Sequence, residues 1–320
     1  MTAPADLAGF DVVPLGASDL QELQPILDEE SRAWAEELDW DYRGSVEVLR
    51  PFVQSGSVTG YVLRADGHTV GFAYAVPEPP KCLIGDLYVL RAYRSESAET
   101  LLLEAVLRDV FCRPWLRRVE CQLMLLERPL ERRLPFQQYA RRYPRSLMAI
   151  DPAQALDLPV HSEAARYRLE HWSSAYQFEA ASVIATAYRN HVDAEVNDQY
   201  RTRSGALRFL TNLLVYSGCG IFCDSASYLA FDSSDRLVGL CLVSLVRPDV
   251  GHITQVSVIP EVQGRGLGYE LIRRSLVAVK QLGCRKVTLT VTNANSRARE
   301  LYTRMGFTVQ RRFAAYVWER

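Results

Sequence analysis

The sequence predicts an α/β protein with two similar domains. Three observations support this prediction: the length of 320 residues, an internal repeat, and a glycine-rich loop between a strand and a helix in the second copy. Globular domains usually contain about 100–200 residues, so this length favours two domains. The hydrophobic fraction of 48% and the net charge of −1 are typical of a folded chain rather than a disordered one.

The internal repeat relates a hairpin and a following strand in each half of the chain. Tyr61 in the first hairpin corresponds to Tyr228 in the second. The next apolar strand begins at Ile84 and at Ile253, and from there the two copies continue at a constant offset without a gap. Chance resemblance between two αβ segments is the alternative, but the shared order and spacing favour duplication.

A linker-like segment separates the two copies. Residues 151–163 contain two prolines and show little periodicity. We therefore expect one domain over residues 1–150 and a second over residues 164–320. In the second domain, the pattern predicts that residues 307–318 form a pair of terminal strands.

Composition excludes several classes of protein. Lys and Arg number 37 and Asp and Glu 38, so no basic excess indicates a nucleic-acid partner. No apolar run approaches the ~18 residues of a membrane span, and the N-terminus lacks a secretory signal pattern. Seven cysteines without a Cys-x-x-Cys pair, and scattered histidines, argue against a disulfide framework and a zinc site. We expect a cytoplasmic, metal-free protein in which basic pairs such as Arg132-Arg133 are solvated.

The loop Gln263-Gly264-Arg265-Gly266-Leu267-Gly268 carries the clearest chemical signal. It follows an apolar strand and leads directly into an amphipathic helix. Glycines let backbone N–H groups approach a phosphate, and the helix N-terminus adds unsatisfied donors. A P-loop is excluded because no Gly-Lys-Ser/Thr is present, and the acidic residue of a dinucleotide fold is missing. A tight turn without a ligand is the alternative, although it does not require three alternating glycines.

Two motifs in this half resemble the GNAT acetyltransferase superfamily. Gln263-x-x-Gly266-x-Gly268 resembles motif A, whose loop holds the pyrophosphate of acetyl-CoA. Asn295-x-x-Ala298-x-x-Leu301-Tyr302-x-x-x-Gly306-Phe307 resembles motif B and follows motif A in the order that the family has. The resemblance covers about residues 164–320 and, more weakly, 9–150. It implies two tandem GNAT-like domains, each a central mixed, mostly antiparallel β-sheet flanked by helices.

The resemblance implies roles for single residues. In the family, the tyrosine at the place of Tyr302 protonates the departing thiolate. The alternative is that Tyr302 is only an aromatic residue of the core. Asn295 would bond the pantetheine arm, or only cap its helix. Backbone groups of Val256 and Val258 would bond the same arm. The loop residues would hold the pyrophosphate; they are Gln263, Gly264, Arg265, Gly266, Leu267 and Gly268.

A general base and an acceptor-binding segment are the remaining expectations. His252 lies on the central strand where family members place a Glu or His base. Strand alternation predicts that it shares a face with Val256 and Val258; a solvent-facing histidine is the alternative. The segment 191–201 is rich in carboxylates and amides, which suits a cationic amine, or is simply a solvated loop. Its tentative contact residues are Asp193, Glu195, Asn197 and Tyr200.

The first copy lacks the phosphate loop. At the aligned positions it reads Arg94-Ser95-Glu96-Ser97-Ala98-Glu99, so side chains crowd the cradle and carboxylates would repel a pyrophosphate. This pattern predicts a degenerate N-terminal domain. The sequence as a whole predicts an acetyl-CoA-dependent N-acetyltransferase that transfers the acetyl group directly to an amine of unknown identity, a small molecule or a peptide. A non-catalytic acyl-CoA sensor or interaction protein is the alternative.

Overall fold

The structure is a computed structural model that describes residues 9–16, 20–216 and 218–320. Its contacts separate two compact units. The N-terminal unit contains residues up to 38, residues 42–144 and residues 313–320, and the C-terminal unit contains residues 39–41 and 145–312. Both are α/β units, as the sequence predicted.

The N-terminal unit consists of a β-sheet and helices that lie within residues 20–111. Its sheet has the order β1-β2-β3-β4-β5-β13, and only the β4–β5 pair is parallel. Its elements are β1 (Phe10–Pro14), α1 (Leu20–Leu38), α2 (Arg43–Gln54), β2 (Thr59–Ala65), β3 (His68–Glu78), β4 (Lys81–Val89), α3 (Glu96–Phe111), β5 (Arg118–Cys121) and, from residue 313 on, β13 (Thr308–Glu319).

The C-terminal unit repeats this plan. Its sheet has the order β6-β12-β11-β10-β9-β7, β8 pairs with β10, and β11 and β12 form the parallel pair. Its elements are β6 (Ala140–Ile150), β7 (Arg168–His171), α4 (Gln177–Ala187), α5 (Val192–Val196), α6 (Arg203–Val215), β8 (Ile221–Phe222), β9 (Tyr228–Phe231), β10 (Leu237–Arg247), β11 (Val250–Val258), α7 (Leu267–Gln281), β12 (Lys286–Thr292) and α8 (Ser296–Arg304).

The two sheets carry the same irregularity at equivalent positions. The register between β10 and β11 skips Thr254, and the register between β3 and β4 skips Gly85, which is the residue aligned with Thr254 in the internal repeat. Parallel pairing ends just before each bulge, at Ile253 in β11 and at Ile84 in β4. The parallel neighbours therefore stop pairing at the same point in both units. This shared geometry supports the duplication inferred from the sequence.

The last strand differs from the predicted arrangement. β13 is one strand of 12 residues rather than a strand pair. Its end pairs with β5 in the N-terminal unit, where Tyr316 and Trp318 join the apolar core. All four residues of β5 are buried, so this short strand needs a hydrogen-bonding partner on its second edge. Residues 313–320 thus lie in the first compact unit rather than in the predicted domain 164–320.

The segment predicted as a linker is ordered. A 3₁₀ helix spans Pro152–Leu156, and Ala155 within it is fully buried. Further along, the carbonyl oxygen of Pro159 accepts a hydrogen bond from the Tyr269 hydroxyl at 2.8 Å. The segment therefore packs on α7. The boundary between the compact units falls between residues 144 and 145, a few residues before the predicted boundary at 150.

Substituting Trp318 should destabilise the N-terminal unit although the residue is near the end of the chain. Its side chain is fully buried, and its indole N–H donates to the Pro135 carbonyl at 2.8 Å. We expect Trp318→Ala to cost about 3–5 kcal/mol of unfolding free energy. Hydrogen exchange of the β4 and β5 amides should accelerate accordingly.

The matched control is Val309→Ala on the same strand, because the Val309 side chain is 44% exposed. This variant should leave exchange in β4 and β5 unchanged. Unaltered protection of those strands in Trp318→Ala would show that the last strand does not stabilise the N-terminal unit.

Candidate functional site

The glycine loop adopts the backbone conformation that its sequence predicts. Gly264 and Gly266 have φ angles of +80° and +77°, in the left-handed region that favours glycine. Gly266 is the N-cap of α7, and its carbonyl accepts the first helical bond from the Glu270 N–H at 3.0 Å. The N–H groups of residues 267–269 precede that first bond and are therefore the donors that a helix start leaves to external partners. The loop thus presents a cluster of backbone donors.

Side chains wall this cluster on two sides. A Cβ atom on Gly266 would lie 2.3 Å from the His161 ring, and the Nδ1 atom of that ring is buried without a hydrogen-bond partner. A Cβ on Gly264 would lie 3.3 Å from a guanidinium nitrogen of Arg297. Backbone donors, an arginine and an unpaired ring nitrogen are chemistry that suits a pyrophosphate. The residues present therefore fit the phosphate part of acetyl-CoA.

Gln263 fastens the loop to the end of β11. Its amide nitrogen donates to the Val258 carbonyl at 2.8 Å, and its amide oxygen accepts from Arg297 at 3.0 Å. The Val256 carbonyl accepts from the Tyr188 hydroxyl at 3.4 Å. Arg297 lies outside both sequence motifs. A cation in the first turn of a helix opposes the helix dipole, and this unfavourable placement was the available signal that its side chain is used outside the helix, here on Gln263.

Tyr302 and Asn295 lie on the motif B helix. Asn295 is the N-cap of α8, and its side-chain oxygen accepts the Ala298 N–H at 3.2 Å. The half-buried Tyr302 ring packs near the Phe307 ring, with centroids 5.9 Å apart. Burial, and then the negative charge of Asp193, raise the pKa of the Tyr302 hydroxyl. This hydroxyl therefore retains its proton at neutral pH and can act as a donor.

Asp193 lies at the centre of a polar and aromatic cluster. One carboxylate oxygen accepts from the Thr292 hydroxyl, at the end of β12, and the other lies 3.4 Å from Nδ1 of His191. Its charge contributes to the raised pKa of Tyr188 and Tyr200, for which burial is the main cause. The Tyr188 and Tyr200 ring centroids are 4.7 Å apart. Carboxylate and aromatic groups together are suited to a cation.

The four tentative acceptor residues differ in their surroundings. Besides burial, Asp193 raises the pKa of both Tyr200 and Tyr302, and the Asn197 side chain also acts on Tyr200. Asn197 caps a 3₁₀ turn, where its side chain accepts the Gln199 N–H at 3.0 Å. The half-exposed Glu195 carboxylate lies 3.5 Å from Arg201.

His252 is buried in the same unit. Its Nδ1 lies 2.8 Å from the Thr288 hydroxyl, and its ring centroid lies 5.0 Å from that of Trp40. The Thr288 hydroxyl also lies 3.3 Å from the Gly251 carbonyl; when it donates there, it accepts from Nδ1–H and the lone pair of His252 is on Nε2. Burial, together with the charge of Arg145, lowers the pKa of His252 to about 4. The ring is therefore neutral at physiological pH.

The bulge at Thr254 overturns the predicted alternation. His252 pairs with Ser244 and Gln255 with Leu242, so these side chains share one face of β11. Val256 pairs with Cys241 and therefore points to the other face. His252 does not share a face with Val256 and Val258, because the extra residue in the bulge reverses the alternation.

The N-terminal unit fills its own cradle with protein groups. Glu99, at the position of Gly268, is buried and lies 2.6 Å from a guanidinium nitrogen of Arg132. Arg132 also donates to the Glu96 carbonyl at 3.2 Å and to the Thr100 hydroxyl at 2.9 Å. Arg132 is thus buried rather than solvated as expected. An internal ion pair replaces the donors that an intact loop would offer.

The first unit also keeps a polar cluster beside its bulge. Asp86, at the position of Gln255, accepts hydrogen bonds from the Tyr42 hydroxyl and from the Leu87 N–H. Burial and the neighbouring Asp86 raise the pKa of Glu30 well above its usual range. Burial and the charge of Asp86 therefore favour the protonated form of Glu30, and this pair of buried carboxyl groups differs from the surroundings of Asp193.

Metal and membrane features are missing from the described residues. Within 9–16, 20–216 and 218–320, no group of three His, Cys, Asp or Glu side chains could hold a metal ion. None of the helices in those ranges combines the length and apolar content that crossing a bilayer requires.

Solved structures share the architecture of the whole chain. A GCN5-related N-acetyltransferase from Sphaerobacter thermophilus superposes with a TM-score of 0.66 at 19% identity, over 99% of this chain and 97% of that one. A tandem GNAT protein from the clavulanic acid biosynthesis pathway superposes with a TM-score of 0.60 at 16% identity, over 97% and 98% of the two chains. At such identities the likeness shows a shared fold.

Sequence relatives match shorter segments. A mycothiol acetyltransferase from Actinosynnema mirum is 41% identical over 80 residues, which are 25% of this chain and 27% of that protein. The N-alpha-acetyltransferase MAK3 from Arabidopsis thaliana is 38% identical over 66 residues, 21% of this chain and 35% of that protein. The chain thus spans only about a third of these relatives or less. The sequence pattern of the acetyltransferase (GNAT) family matches residues 20–126 and again 194–307, which together are more than half of the chain. The chain therefore belongs to the acetyltransferase (GNAT) family, in a tandem arrangement.

Proposed function

We propose that the chain is an acetyl-CoA-dependent N-acetyltransferase whose C-terminal unit binds the cosubstrate and carries the chemistry. The observation that carries this proposal is the left-handed glycine loop next to the end of β11, which leaves the N–H groups of residues 267–269 at the start of α7 to external partners. Family membership supports acetyl transfer in general. The pyrophosphate would be held by the loop residues Gln263–Gly268 and by Arg297. The pantetheine arm would lie along Val256 and Val258, with Asn295 nearby.

The reaction is direct transfer without a covalent enzyme intermediate. The neutral amine attacks the thioester carbonyl, so a C–N bond forms and the C–S bond breaks. The nitrogen loses one proton before attack and a second as the amide forms, while the leaving sulfur gains one. The protonated Tyr302 hydroxyl is the donor for that sulfur. One proton is therefore released to solvent for each acetyl group transferred to an ammonium acceptor.

The acceptor is an amine that reaches the enzyme as a cation. Asp193 supplies the negative charge that attracts an ammonium group, and the rings of Tyr188 and Tyr200 supply the aromatic wall. Neutral His252 accepts a proton at Nε2 or through water. The identity of the amine would come from thiol release with acetyl-CoA across an amine library. Release without a matching acetylated product would indicate hydrolysis instead.

Acetyl-CoA should bind with a stoichiometry of one per chain. The C-terminal loop offers backbone donors, whereas the Glu99–Arg132 pair occupies the N-terminal cradle. Calorimetry should show that Gly266→Glu abolishes binding, because the side chain collides with His161 and brings a negative charge to the loop. The matched control Ser97→Glu changes the equivalent position of the first unit and should bind normally. Two equivalent sites in the unmodified protein would contradict the asymmetry.

Tyr302→Phe should lower kcat while leaving the affinity for acetyl-CoA nearly unchanged. The substitution keeps the ring and removes only the proton donor. General acid catalysis contributes about 10²–10⁴-fold, so the loss should fall in that range when chemistry limits the rate. Steady-state kinetics with an identified acceptor and calorimetry provide the two readouts. Tyr167→Phe, a half-buried tyrosine in the same unit outside the cluster, is the control. An unchanged kcat with rate-limiting chemistry would leave Tyr302 a packing residue.

Removing His252 should lower kcat/KM without moving its pH dependence between pH 6 and 9. The pKa of His252 lies at about 4, so the ring is neutral throughout this range and any rise in activity belongs to another group, such as the acceptor amine. His252→Asn should therefore lower kcat/KM by the same factor at every pH in this range. If the rise of kcat/KM with pH vanished in the variant, His252 would be the group that titrates between pH 6 and 9. An unchanged kcat/KM in the variant would exclude His252 as the base, and Asp193→Asn would be the next test.

A further inference from the structure

Three threonines form a row on one face of β12. Thr288, Thr290 and Thr292 alternate along the strand, so their side chains point to the same side of the sheet. Each hydroxyl contacts a different titratable group. The contacts are Thr288 with Nδ1 of His252 at 2.8 Å, Thr290 with a guanidinium nitrogen of Arg145 at 3.3 Å, and Thr292 with the carboxylate of Asp193. The row therefore places an imidazole, a cation and a carboxylate along one face of the C-terminal sheet.

Arg145 reaches this row from the neighbouring strand. It lies on β6 directly opposite Thr292, and residues opposite each other in an antiparallel pair share a face. Its guanidinium extends to Thr290, whereas the Thr292 hydroxyl holds Asp193. These two threonines are two strand positions apart, which is about 7 Å. One cation and one carboxylate are thus anchored side by side at the end of β12.

The charge of Arg145 acts on the proposed acceptor site. Burial is the main cause of the raised pKa of Tyr200; the charge of Arg145 lowers this pKa, and that of Asp193 raises it. Burial, and then the charge of Arg145, lower the pKa of His252. Arg145 therefore lies close to the aromatic wall and to the candidate base, as well as to the residue proposed to attract the amine.

A cation at this place is unfavourable for an acceptor that carries only an ammonium group. Arg145 repels such a group while Asp193 attracts it. Arg145 also disfavours the imidazolium that forms when His252 accepts a proton. A carboxylate bound to Arg145 would offset both effects, and the planar guanidinium matches a carboxylate with two parallel hydrogen bonds. A molecule with both charges thus fits the pair of anchored groups.

We propose that the acceptor is an amino acid, an amine that also carries a carboxylate, and that Arg145 binds this carboxylate while Asp193 binds the ammonium group. The inference rests on the proposed function and narrows its acceptor. Arg145 is then the residue that distinguishes amino acids from simple amines and from peptide N-termini, in which the neighbouring carboxyl group is an amide.

The test measures thiol release from acetyl-CoA with α-, β- and γ-amino acids and with the matching amino acid amides. Each amide keeps the amine and removes only the acid group. We expect kcat/KM to be at least about 10-fold higher for the preferred amino acid than for its amide. Arg145→Gln should lower this ratio by about 10–100-fold, because charged hydrogen bonds are lost. Arg145→Lys keeps the charge without the planar fork and should lower it less.

Two features make the comparison specific. The ratio of acid to amide, compared between proteins, cancels the different basicity of the two amines. Arg236→Gln is the matched control, because this arginine lies in the turn between β9 and β10 with its side chain 58% exposed. The control variant should keep the ratio of the unmodified chain. Should Arg145→Gln fail to fold, the same ratio in Arg145→Lys decides.

The outcomes separate this inference from the proposed function. Equal use of acids and amides by the unmodified chain would overturn the inference, and so would a parallel loss of both in Arg145→Gln. Acetylation of amines without an acid group, with every amino acid refused, would also overturn it. Each of these results leaves the transferase proposal standing. Thiol release with no amine at all would overturn the transferase proposal, and the inference with it.

Discussion

The N–H groups that the start of α7 leaves to external partners are the feature on which the proposed cosubstrate site depends. A pyrophosphate is large and strongly charged, and backbone donors can approach it only where side chains are missing. The left-handed conformations at Gly264 and Gly266 turn the chain so that these donors point outward together. The surrounding side chains then have defined tasks: Gln263 holds the loop to β11, while Arg297 and His161 flank it.

The two units share the arrangement of the sheet, but the glycine loop is found in the second unit and not at the aligned residues 94–99 of the first. In both units a bulge and the end of parallel pairing fall at aligned positions of the repeat. β4 and β11 therefore stop pairing with their parallel neighbours at equivalent points. The difference lies in a few residues that follow it. Where the second unit has glycine, the first has Glu99, and burying that carboxylate required the equally buried Arg132. The two units therefore differ in the chemistry of one loop rather than in the geometry of the sheet.

In the proposed acceptor site, burial sets the protonation of two groups. It raises the pKa of the Tyr302 hydroxyl and lowers that of His252, so at neutral pH the hydroxyl can donate a proton and the imidazole can accept one. A pKa of about 4 makes the neutral imidazole abundant but weakly basic. Asp193, the residue proposed to attract a cationic amine, lies where α5 meets the end of β12. This arrangement supports separate residues for binding the amine and for moving its proton.

The sequence by itself determined the two similar halves, the glycine loop, the motif B helix and the loss of the loop in the first copy. These are local features, because strand and helix periodicity, turn glycines and motif spacing are encoded within short segments. Long-range packing decided the rest. The bulge at Thr254 turned His252 to the other face, and the last strand found its partner in β5 of the N-terminal unit. Arg132 became buried and His161 reached Gly266 for the same reason. Hydrogen-bonding partners and burial depend on residues distant in the chain, and no local pattern reports them.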